Sequence, residues 1–76
     1  MNKARRNAIE QAMDVLYELR TQVEQIMDEE TEAFENLPYG LQESERGEAM
    51  ESAIASLDDA CQSIDSAIDS LQEAQG

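Results

Sequence analysis

The side chains with most chemistry to offer in this chain are carboxylates. Asp28, Glu29, Glu32 and Glu35 fall within MDEETEAFEN, and Glu43, Glu45, Glu48 and Glu51 follow across LPYGLQESERGEAME. Carboxylates at such spacing are the ligand type of calcium. An EF-hand loop, however, takes a Gly at the sixth position for its sharp bend, and DEETEAFENLPY has Ala33 there. Acid–base work by paired carboxylates needs a cleft that raises one pKa, and a thin helical chain offers little concavity. The sequence has no His, which removes imidazole catalysis, the common zinc sites and the Glu-x-x-His pairs of di-iron bundles. The one thiol, Cys61, lies in an aliphatic row with Leu57, Ile64 and Ile68 and reads as a small core residue. No catalytic residue, metal ligand or cofactor site is expected, and the chain is not read as an enzyme.

A second acidic set, Asp58, Asp59, Asp65 and Asp69, alternates with serines in the second half. Carboxylates on successive helical turns recur at about 5.4 Å, similar to the phosphate spacing of a nucleic-acid strand. Such a face could fill a Lys/Arg groove built for DNA or RNA. The plainer reading is a solvated acidic face. Eighteen acids against five bases give a net charge of −13, which opposes direct binding to nucleic acid or anionic membrane and favours basic protein partners. The charge is lopsided: residues 1–23 hold four of the five bases and three acids, whereas residues 24–76 hold fifteen acids and Arg46 alone.

The elements that position these groups follow from apolar spacing. Ile9, Ala12, Leu16, Leu19, Val23 and Ile26, then Glu30 and Ala33, step by three and four as the a/d seam of a coiled coil. This predicts a helix over about 3–35, uninterrupted by Gly or Pro. Met50, Ile54, Leu57, Cys61, Ile64, Ile68 and Leu71 keep the same period and predict a second helix over about 44–75. Between them, over about 36–43, Pro38 and Gly40 read as a turn, with Ser44 the N-cap of the second helix and Gly47 leaving space opposite the first. The expected fold is all-α: a single antiparallel two-helix hairpin over residues 1–76, coiled-coil-like.

In that hairpin Lys3, Arg5 and Arg6, at the unfavourable end of their own helix dipole, are expected to face Asp65, Asp69 and Glu73. Glu30 on the seam either pairs with Arg46 across the turn or marks a seam that splays there. Apolar residues beyond a/d, namely Met13, Val15, Tyr17, Met27 and Phe34, widen the first helix's apolar face. The heptad row Ala53, Ala60 and Ala67 would let another helix approach closely. These eight residues are the expected dimer interface of a homodimeric four-helix bundle.

Residues 37–74, and the segment LQESERGEAM above all, resemble small acidic helical proteins encoded by Gram-positive gut bacteria and their phages and mobile elements. The shared pattern is a Pro-containing turn, LQ-x-SERGEAM, then heptads of AI-x-x-L-x-x-A form. The resemblance implies a source and a helical shape, with no assigned activity.

Two functions fit these observations. One is a non-enzymatic acidic interaction module, an inhibitor or decoy that docks a basic nucleic-acid-binding surface through the turn-end pole or the Asp face. The other is a structural or adaptor bundle whose acidity serves solubility. With no apolar run suited to secretion or membrane spanning and no possible internal disulfide, a cytoplasmic location, in a bacterium or an infected host cell, is expected.

Overall fold

The computed structural model describes residues 1–76 and is all-helical, in the order α1 (Lys3–Glu35), α2 (Tyr39–Gln42) and α3 (Glu45–Gln75). The long helices α1 and α3 pack antiparallel along a rod of 58 × 15 × 11 Å. At about 1.5 Å per residue, each long helix runs nearly the length of that rod.

Local chemistry sets the ends. Asn2 caps α1, its Oδ1 accepting from the Arg5 N–H at 2.8 Å. At the other end the Asn36 N–H donates to the Glu32 carbonyl and the Leu37 N–H to the Phe34 carbonyl, closing the last turn before Pro38. Ser44 caps α3, with Oγ accepting from the Gly47 N–H at 3.4 Å, and Glu45 and Glu48 occupy the first turn, where the helix dipole favours acid. The connection carries one turn of helix, α2, which its Pro and Gly had concealed.

The seam departs from the a/d reading. On α1 the shielded residues are Ile9, Met13, Leu16, Arg20, Val23, Glu24, Met27, Glu30, Thr31 and Phe34. Leu19 and Ile26, expected in the seam, are 42% and 52% exposed. The row Ile9–Leu16–Val23 is kept, but its companion is Met13–Arg20–Met27–Phe34 instead of Ala12–Leu19–Ile26–Ala33. The helix is rotated so that the bulkier Met and Phe row meets α3. On α3 the expected row holds, with Cys61 and Ile68 buried and Met50, Ile54, Leu57, Ile64 and Leu71 half-buried. Only Met13, Gly47, Cys61 and Ile68 are buried. A core this thin is marginal for a free-standing domain.

Candidate interaction surfaces

Three features stand out along the rod: a corner at the turn, a charged clamp near the middle, and an apolar side that neither helix covers.

The corner is built by LQESERG. The Gln42 Nε2 donates to the Leu37 carbonyl at 3.4 Å and to the Phe34 carbonyl at 3.3 Å, the latter already accepting from the Leu37 N–H. The backbone of Gln42 also presses on α3: a Cβ on Gly47 would lie 2.1 Å from the Gln42 oxygen and 2.5 Å from its carbonyl carbon. The space left by Gly47 is therefore filled by α2 and not by α1. Ser44 Oγ donates to the Leu41 carbonyl while capping α3. Gln42, Ser44 and Gly47 thus have local structural roles.

The clamp is centred on Arg20. Its Nε and Nη2 bind both carboxylate oxygens of Asp65, with the Nη2–Oδ2 distance 3.2 Å, and its Nη1 pairs with Glu24 one turn along α1. The fork geometry of guanidinium on carboxylate fixes the register of the two helices as well as attracting them. The hydrogen bond that Arg20 donates to Asp65 raises the Arg20 pKa further, so Arg20 stays charged throughout the working range. Beneath the clamp, Cys61 is buried, and this burial pushes its thiol pKa up, with Glu24 adding to the rise. A buried neutral thiol is a poor nucleophile.

This clamp corrects one expectation. Asp65 is not part of a free acidic face, because Arg20 holds it. Lys3, Arg5 and Arg6 do stand beside the C-terminal end of α3, as expected, but form no ion pair with Asp65, Asp69 or Glu73: the only ion pairs in the hairpin are those of Arg20. The contact near that end is instead a hydrogen bond from Gln75 Nε2 to the Arg6 carbonyl at 3.3 Å. Glu30 and Arg46 likewise form no ion pair. Of the other Asp residues, Asp58 accepts from Gln62 at 2.9 Å, while Asp59 and Asp69 are exposed without hydrogen-bond partners.

The apolar side follows from helix phase. At about 100° per residue, Ala12, Val15, Leu19 and Ile26 lie about a quarter-turn from the seam stripe of α1. On α3, Ala53, Ala60 and Ala67 lie a similar angle from the Cys61–Ile68 stripe. Because the helices run antiparallel, the two rows come to the same side of the rod. The Arg20–Asp65 clamp crosses on the opposite side. Val15 is 54% exposed, Leu19 42% and Ile26 52%, while Ala53 and Ala60 are half-buried. Glu30 is the one acid on this side, near the turn; the others clothe the outer flanks and the clamp side.

The expected interface residues therefore divide. Met13 is consumed inside the hairpin at 9% exposure, and Met27 and Phe34 are half-buried on the seam stripe. Tyr17 is 49% exposed but lies on the clamp side. Val15, Ala53, Ala60 and the exposed Ala67 lie on the open apolar side. Leu19 and Ile26, expected in the seam, join them. At the turn, Asp28, Glu29, Glu32, Glu35, Glu43, Glu45, Glu48 and Glu51 are all exposed, forming an acidic pole beside Tyr39, itself 82% exposed.

No cavity is present and no group of His, Cys, Asp or Glu side chains is arranged to hold a metal ion. No helix is long and apolar enough to cross a membrane. Compared with known proteins, no family model matches the chain, and no curated protein or solved structure is similar to it.

Proposed function

We propose that the chain is a non-enzymatic structural module: a helical hairpin that pairs with a second copy into a four-helix bundle, its acids providing a charged outer coat. The observation that carries this reading is the side bearing Val15, Leu19 and Ile26 beside Ala53 and Ala60. It is apolar along most of its length and nearly free of acid. Exposed apolar patches of this kind mark interaction sites. The thin core of one hairpin supports the same reading, since a second copy would supply the burial that four buried residues do not. Pairing through this side leaves the acids all around the bundle instead of on one continuous face. That distribution favours a solubilising coat over nucleic-acid mimicry.

Light scattering coupled to size exclusion tests the reading: the wild-type chain is expected to elute with a dimer mass at micromolar concentration. Ile26→Glu, at a site exposed in the single hairpin, should keep its helical circular dichroism and elute as a monomer. A monomer mass for the wild type sinks the proposal.

A second reading, docking of a basic protein surface, is favoured by the pole alone, where residues 28–51 hold nine acids and Arg46 as the one base. It predicts nucleic-acid-binding proteins retained from host lysate at low salt and released at high salt, because screening removes exposed attraction beyond about 8 Å at physiological ionic strength. Retention of none, or of salt-insensitive proteins only, counts against it.

A further inference from the structure

A two-helix rod with one apolar side can pair with its copy in two symmetric ways. The turn ends lie together, or each turn lies beside the open end of the other hairpin. Both bury the same side, so apolar area does not choose between them. Charge does. Residues 28–51 place nine acids and one base at the turn end. The opposite end carries Lys3, Arg5 and Arg6 with no acid among residues 1–9, facing only Asp69 and Glu73 from residues 67–76. Lys3, Arg5 and Arg6 are exposed and form no ion pair within the hairpin. They also stand at the N-terminal end of α1, where the helix dipole repels cations.

We infer that the surface formed by Val15, Leu19 and Ile26 binds a second copy head-to-tail, with Lys3, Arg5 and Arg6 of each hairpin lying beside the acidic pole of the other. Turn-to-turn pairing would bring two poles of nine acids each to one bundle end, a repulsion that is strongest at low ionic strength. Head-to-tail pairing separates the poles by the length of the rod and gives each a cationic neighbour. The inference rests on the dimeric reading above and adds its geometry.

The test is a spin-label distance on Tyr39→Cys in a Cys61→Ala background, chosen because Tyr39 sits at the turn and is 82% exposed. Head-to-tail pairing predicts a distance between the two labels of the order of the 58 Å molecular length. Turn-to-turn pairing puts them within about 20 Å, two helix diameters, and that result overturns the orientation while leaving the dimer standing. A monomer mass on the same sample overturns both. Should the Cys61 substitution disturb the seam, the unaltered chain serves. Lys3 is its only lysine, and carbodiimide coupling in a mixture of ¹⁴N and ¹⁵N protein should join Lys3 of one copy to Glu29, Glu32, Glu43 or Glu45 of the other. Inter-copy links from Lys3 to Asp69 or Glu73 would mean the opposite orientation.

Discussion

The Gln42 carbonyl oxygen occupies the space that any side chain on Gly47 would need, 2.1 Å from where a Cβ would stand. In an exposed helix, Gly→Ala gains about 1 kcal/mol from propensity. Here the clash is with backbone, which cannot rotate away as a side-chain tip could, so overpacking decides the sign. Gly47→Ala is expected to destabilise by about 2 kcal/mol. Urea denaturation followed by circular dichroism measures it, and a stabilised variant would contradict the close approach.

Gln42→Ala keeps that backbone contact but strips the Phe34 and Leu37 carbonyls of their shared donor. Both bonds are long, and water can reach the corner. A loss of about 1 kcal/mol is expected. Amide exchange should quicken in the last turn of α1 and leave the middle of α3 unchanged.

Arg20 faces Asp65 and Glu24 together, and a reversed charge there would place three carboxylates side by side. Arg20→Glu should lower the melting temperature, and adding Asp65→Arg should recover part of the loss. Both effects should shrink in high salt, because the pair is half-exposed and screened. A loss in Arg20→Glu that salt does not reduce would point to packing instead of charge.

Burial raises the Cys61 pKa above its value in the unfolded chain. The folded state therefore keeps its proton at a pH where the unfolded thiol has lost it. The resulting stability is fully present below the ordinary thiol range, about pH 8.5, and is lost as pH rises through the folded value. Alkaline melts of the wild type should fall more steeply than those of Cys61→Ala, and thiol reagents at neutral pH should label Cys61 only as fast as the hairpin opens.

If the open apolar side pairs with a copy, the melting temperature should rise with protein concentration, by mass action on the folded dimer. Leu19→Glu should abolish that dependence while leaving the hairpin helical. A concentration-independent melt in the wild type would count against self-association.

The helices themselves could be read from spacing, because a three–four step without Gly or Pro has few other outcomes. The rotation of α1 could not. That helix carries three neighbouring apolar rows, and either of two adjacent pairs makes a regular seam. Arg20 interrupts the Met13–Met27–Phe34 row, and the partner that makes it acceptable there, Asp65, lies 45 residues away on α3. The same ambiguity hides the open side, since the a/d spacing puts Leu19 and Ile26 inside. Gly47 reads as leaving room, but what fills that room is the one-turn helix α2, which its short Pro- and Gly-containing sequence does not announce.

The corner joining Phe34, Gln42 and Gly47 also has a kinetic meaning. Its contacts span few residues, so closing it costs far less chain entropy than joining Arg6 to Gln75 at the far end. Folding should start there and zip toward the termini. Substitutions at Gln42 and Gly47 would then slow folding, whereas truncation of Met13 or Ile68 would mainly speed unfolding, a division that chevron analysis can resolve.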